Sequence, residues 1–121
     1  MKRNGIINKP ISRKENSIIE RCVSHLGQNA ITHYRVIKEF DDYSLVECKL
    51  ETGRTHQIRV HMAHICHPLL GDSLYNMNDD VNTLINRQAL HSYKMEFIHP
   101  VSKNNLILEA DVPEDIKKLI I

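Results

Sequence analysis

Apolar and polar residues alternate in two separate stretches of the chain. Val46, Cys48 and Leu50 alternate with Glu47, Lys49 and Glu51, the period-two pattern of a half-buried strand. Tyr34, Val36 and Phe40 supply one face of a preceding strand, and Asp41-Asp42 makes a turn, so residues 32–51 predict a hairpin. A second hairpin follows the same logic. Tyr93, Met95 and Phe97 alternate with Ser92, Lys94 and Glu96. Leu106, Leu108, Ala110 and Val112 then alternate with Ile107, Glu109 and Asp111, after a turn from His99-Pro100 to Asn105. Between the hairpins, Thr52-Gly53 breaks the strand and Thr55 is placed to cap a helix over roughly 56–66. Ile58, Met62 and Ile65 give that helix an apolar face, and Pro68 and Gly71 end it. Residues 72–86 form a polar loop with a short helical turn around 81–85. Pro113 suits the first position of a terminal helix with Glu114 and Asp115 in its first turn and Ile116, Leu119 and Ile120 facing a core.

Residues 1–30 show no such periodicity. Lys9-Pro10-Ile11 starts an extended piece and Gly27-Gln28-Asn29 reads as a turn, so this stretch is expected to be irregular. The predicted fold is α+β: a mainly antiparallel sheet of two hairpins, a helix between them and a C-terminal helix. The predicted organisation is one partial domain over 1–121, with 1–30 an extended basic arm and 31–121 the core.

Composition narrows this picture. A chain of 121 residues with 41% hydrophobic and 26% charged residues is an ordinary soluble globular domain. Aromatics make up 5% and Trp is absent, so the core rests on Ile, Leu, Val and Met. The net charge of +1 says little, but residues 1–30 carry about +4 and the remainder about −3. The basic front end is either a solvated arm or a phosphate-contacting one. Three widely spaced cysteines without a CxxC pair build no disulfide framework, which fits a reducing cytoplasm. No long apolar run follows the first residues, and no stretch approaches membrane-spanning length.

The densest chemistry lies in Leu50-Glu51-Thr52-Gly53-Arg54-Thr55-His56-Gln57-Ile58-Arg59-Val60-His61. A strand-to-helix junction gathers unpaired backbone N–H groups, and arginines there suit an anionic partner. Taken singly, Arg54 and Arg59 read equally as surface cations. His56, His61, His64 and His67 cluster near Cys66. No acidic residue interleaves before Asp72, and there is no HExxH pattern, so a functional metal site is not expected. No GxSxG elbow and no phosphate-binding glycine loop occurs.

The order of these pieces resembles the C-terminal half of the RluA-like RNA pseudouridine synthases. The matching segments are Gly5-Ile6-Ile7, Pro10-Ile11, Ala30-Ile31-Thr32-His33-Tyr34-Arg35-Val36, Tyr43-Ser44-Leu45-Val46-Glu47, Glu51 through His61, His67-Pro68-Leu69-Leu70-Gly71-Asp72, Arg87-Gln88-Ala89-Leu90-His91, His99-Pro100 and Glu109-Ala110. The resemblance spans essentially the whole chain. It implies cofactor-free isomerisation of uridine to pseudouridine in structured ribosomal or transfer RNA, on a nucleotide taken out of its stack. It implies that Arg59 orients a catalytic aspartate, that Leu90 lines the uracil pocket, and that Arg54, His56 and Gln57 lie near the cleft mouth as RNA or structural contacts. No metal and no membrane is implied.

One part of the family pattern is missing. The family's catalytic aspartate lies upstream in a His-Arg-Leu-Asp run, and a uracil-stacking tyrosine follows in another motif. Neither occurs in residues 1–121, where Asp41, Asp42, Asp72, Asp79, Asp80, Asp111 and Asp115 all sit in other contexts. The chain is therefore expected to be the later part of a synthase catalytic domain, cut, split or degenerate, and inactive alone. One strand edge and an apolar face are expected to lose their partners, giving exposed hydrophobic surface, self-association or partial disorder in residues 1–30. Two competing functions are a non-catalytic RNA-binding or assembly module on this scaffold and a histidine-based metal-binding protein.

Overall fold

The computed structural model describes residues 3–77, 84–92, 94–98 and 105–120. Two compact units divide the chain, Met1–Gln88 and Ala89–Ile121. The turns expected at 81–85 and at 99–105 lie largely outside the described residues, as does Tyr93.

In the first unit, β1 (Asn4–Asn8), β2 (Ile11–Arg13) and β3 (Arg21–Val23) precede the long hairpin β4 (Ile31–Glu39) and β5 (Ser44–Leu50). The irregular reading of residues 1–30 is thus corrected. β1 pairs antiparallel with β4, so the sheet runs β1-β4-β5. Sequence periodicity missed β1 because it is only 5 residues long and only Ile7 of its two isoleucines is buried.

The register explains the burial. Ile7 faces Thr32 across β1–β4, and Val36 faces Val46 across β4–β5. The opposite face carries the exposed ion pair Arg35–Glu47 and a hydrogen bond between His33 and Glu51, surface contacts of little energetic weight. The register slips between Val36 and Lys38, leaving Ile37 as an exposed bulge residue. The Asp41-Asp42 turn forms as expected. The Phe40 N–H donates to Tyr43 O at 2.8 Å, and the two rings stack at 5.1 Å. Leu50, expected to face inward with Val46 and Cys48, is exposed at the strand end.

β2 and β3 form a separate hairpin, with Ile11 opposite Val23. Ile11, Ala30 and Val60 make the small core of this unit, with Val23 and Tyr75 packed against it. Ile11 and Val60 each contribute roughly 1.5–3 kcal/mol by burial. Gly27 is required here, because a Cβ at that position would lie 2.4 Å from the Ile11 carbonyl carbon. That close approach lets Ile11 and Gln28 exchange two backbone hydrogen bonds of 2.9 Å.

Helix α1 (Gln57–His64) packs on β3 and β4. Thr55 does not cap it. The N-cap is His56, in the left-handed conformation with φ of 57°, and no side chain caps the helix. The apolar face is also rotated from expectation. Met62 is buried, but Ile58 and Ile65 are only half-buried, and the deepest stripe is Gln57, Val60 and His61. Apolar periodicity could not find a stripe whose two polar members are accommodated by hydrogen bonds. The helix ends at His64, before Pro68, with Ile65 as C-cap and Cys66 after it at φ of 67°. Cys66 N–H donates to Ala63 O and His67 N–H to Met62 O, a Schellman closure.

The second unit holds the antiparallel pair β6 (Lys94–Ile98) and β7 (Asn105–Glu109), followed by α2 (Glu114–Ile120). Ile116 is buried, and Leu119 and Ile120 are half-buried. The architecture is α+β with antiparallel pairing throughout, as the sequence predicts. Among the described residues, no helix is long and apolar enough to cross a membrane.

Candidate active site

Arg59 lies on α1, facing the loop that follows the helix. Its Nε donates to Asp72 Oδ2 at 2.9 Å and its Nη2 to Asp72 Oδ1 at 2.8 Å, a bidentate pair. Asp72 is fully buried, and the Arg59 side chain is 15% exposed. Burial alone would raise the Asp72 carboxyl. The Arg59 hydrogen bonds and charge, with the N–H groups of Leu74 and Tyr75, outweigh it and hold the pKa below the usual carboxylate range. Gly71, in the left-handed region with φ of 73°, turns the chain so that Asp72 points back at the helix.

Tyr75 closes the far side. The Arg59 guanidinium lies 5.1 Å from its ring centroid. Its hydroxyl accepts the Arg21 N–H at 2.8 Å and lies 2.7 Å from His56 Nδ1. A neutral His56 can accept the hydroxyl proton at Nδ1. Burial, then Arg59 and Arg21, pushes the His56 pKa down, which favours that neutral form.

A second network lies beneath. The Ile31 N–H donates to Thr52 Oγ1, which donates to Gln57 Oε1 at 2.7 Å. Gln57 Oε1 also accepts the Arg54 N–H, and Gln57 Nε2 donates to Ile31 O and Thr32 Oγ1. Thr32 Oγ1 donates to His61 Nδ1 at 2.8 Å, and His61 Nε2 donates to Lys9 O at 2.9 Å. Among the described residues, no buried side-chain nitrogen or oxygen lacks a partner.

Arg59, His56, Gln57 and Arg54 are therefore gathered at one end of α1, as the sequence indicates, but their surroundings differ. Gln57, expected near the cleft mouth, is 3% exposed and its amide is spent on the protein. Arg54 is half-buried, with its Nε donating to Asn29 O at 2.7 Å. Leu90 is half-buried in the second unit. Sequence reasoning missed Asp72 and Tyr75. The available signal was the arginine on a packed helix, which needs a counter-ion, with Asp72 the first acid downstream. No group of three His, Cys, Asp or Glu residues is placed to hold a metal among the described residues.

Comparison with known proteins places these motifs. The sequence model of a family described as RNA pseudouridylate synthase matches residues 1–64. An uncharacterized RNA pseudouridine synthase of Bacillus subtilis (strain 168), YjbO, is 49% identical over 116 residues, covering 96% of this chain and 40% of that protein. Ribosomal large subunit pseudouridine synthase D of Vibrio cholerae is 41% identical over 130 residues, covering 98% of this chain and 40% of that protein. The chain thus spans about 40% of the length of the curated relatives it matches. The fold is similar to that of the human RNA pseudouridylate synthase domain containing 1, with a TM-score of 0.77 at 23% identity over 91% of this chain and 49% of that one. With half of its length matched by the family's sequence model, including the run that carries Arg54 through His61, this chain belongs to the RNA pseudouridylate synthase family.

Proposed function

We propose that this chain forms the later part of the catalytic domain of an RNA pseudouridine synthase, acting in the cytoplasm on structured ribosomal or transfer RNA. In that reaction the glycosidic C1′–N1 bond of a uridine breaks, the uracil rotates, C5 bonds to C1′, the C5 proton leaves to solvent, and N1 ends protonated. The carrying observation is the anchoring of Arg59. Asp72 takes the Nε and Nη2 donors, which leaves Nη1 outside that pair. A catalytic aspartate from an upstream His-Arg-Leu-Asp segment would meet that nitrogen. Arg59 would then keep it ionised and fix its rotamer. His56 and Arg54 would contact RNA, Gln57 would act from below by holding the Arg54 backbone, and Leu90 would line the uracil pocket. No cofactor enters this reading.

The test is tritium release from RNA labelled at uracil C5. The chain alone should release nothing above background. Mixed with the upstream part of a close relative that carries the His-Arg-Leu-Asp run, it should release tritium, and Arg59→Ala should abolish this. Release by the chain alone would mean that a carboxylate within these residues replaces the missing one. A folded mixture that binds RNA without release would favour the non-catalytic RNA-binding module.

A further inference from the structure

Arg13 and Arg21 are direct partners across the β2–β3 ladder. Like charges placed opposite each other destabilise an antiparallel pair. Both arginines, with Arg54, line one open groove of about 280 Å³, and no carboxylate is among its lining residues. Glu20, the acid next to Arg21, is held by Lys14, whose Nζ lies 2.6 Å from its carboxylate. The hydrogen bonds these arginines make go to neutral carbonyls: Arg21 Nη1 to Ile18 O at 3.4 Å and Arg54 Nε to Asn29 O at 2.7 Å. Three permanent cations thus line one groove, with no counter-ion there among the described residues. Leu26, 82% exposed, lines the same groove.

We propose that this groove binds the sugar–phosphate backbone of the RNA outside the reacting site. Arg13 and Arg21 grip neighbouring phosphates, and Leu26 packs against a sugar or base. An anion between the two guanidiniums turns the cross-strand repulsion into two charge-assisted contacts. The inference rests on the RNA reading above and gives the basic front end, which the sequence reads as either a solvated or a phosphate-contacting arm, a defined positioning surface on the β2–β3 hairpin.

The test is fluorescence anisotropy of a labelled single-stranded oligoribonucleotide with the whole chain, in salt from about 50 to 200 mM. The double variant Arg13→Ala/Arg21→Ala is compared with the charge-matched Lys117→Ala/Lys118→Ala on α2. The groove variant should bind at least about tenfold more weakly. The slope of log affinity against log salt should shrink by about 1.4, the equivalent of two single-strand phosphate contacts. Its thermal midpoint should equal or exceed that of the wild type, because the opposed charges are gone. The α2 variant should bind as the wild type does. Wild-type RNA binding that the groove variant retains, with the same slope, overturns the groove and leaves the RNA reading intact. A folded wild type that does not bind RNA overturns both. Loss of polyglutamate binding in the groove variant, with RNA binding unchanged, makes the occupant an acidic peptide and overturns the proposal.

Discussion

Arg59 and Asp72 lie 13 residues apart and meet edge to edge through two hydrogen bonds of 2.8 and 2.9 Å. The pair ties the first turn of α1 to the loop that follows the helix. Asp72→Ala leaves the guanidinium largely buried without its counter-charge and also strands the N–H groups of Leu74 and Tyr75. Breaking a buried pair costs about 3–5 kcal/mol, and the lower end applies because Arg59 keeps some contact with water. Urea denaturation should show that loss. Asp72→Asn should fall between the two, since it keeps one acceptor. Because the Asp72 pKa is lowered on folding, the pair's contribution is complete above the ordinary carboxyl value near 3.8 and disappears as pH falls through the folded value.

Stability should also fall on mild acidification, for a different reason. Burial pushes the His61 pKa below 6.5, against the raising effect of the Lys9 carbonyl, and burial with Arg59 and Arg21 does the same to His56. The unfolded chain therefore binds more protons than the folded one in the window just below 6.5. This stabilisation is complete above that value and lost as pH drops through the folded pKa values. The urea midpoint should decline from about pH 7 to about pH 5, and His61→Gln should flatten the decline. A midpoint that holds constant across that window would mean that both imidazoles are protonated equally in the two states.

The hairpin β4–β5 and the terminal helix were legible because each shows a hydrophobic period and a punctuating turn, whereas the helix over 57–64 was legible from its boundaries, Thr52-Gly53 and Pro68, and not from its buried stripe. β2 and β3 were not, at three residues each. Such strands are set by long-range pairing and by the Gly27 approach to Ile11, which no local pattern encodes. The site was legible in the same uneven way. The cationic run announced itself, yet the run also carries the scaffold: Thr52, Gln57 and His61 hold the sheet to the helix. Residue type alone does not separate a side chain that faces RNA from one that holds the backbone beneath it.

Two motif glycines make opposite predictions. A Cβ on Gly71 would lie 2.0 Å from the Arg87 carbonyl oxygen and 2.8 Å from Ile85 Cγ2, at φ of 73°. Gly71→Ala should cost more than about 3 kcal/mol and displace Asp72 from Arg59, because backbone strain and overlap with a carbonyl add. A Cβ on Gly53 would meet nothing within 4 Å. Gly53→Ala should change stability by no more than about 0.5 kcal/mol. If Gly53→Ala nevertheless weakens RNA binding, the open space beside Arg54 is occupied by RNA. Chemical denaturation of the two variants side by side, with RNA anisotropy for the second, decides both points.

Cys66 offers a stabilising change. It occupies the left-handed position of the Schellman closure with φ of 67°, and its side chain is exposed. A non-glycine residue there costs about 1–2 kcal/mol, while glycine's extra freedom in the unfolded chain returns about 0.5–1 of that. Cys66→Gly should therefore raise stability by about 0.5–1 kcal/mol, and Cys66→Ala, which keeps the Cβ, should leave it nearly unchanged. The exposed thiol gives up no burial in either change. Urea midpoints measured under reducing conditions separate the two effects. A gain in both variants would assign the stabilisation to loss of the thiol, whereas a gain in the glycine variant alone assigns it to the backbone.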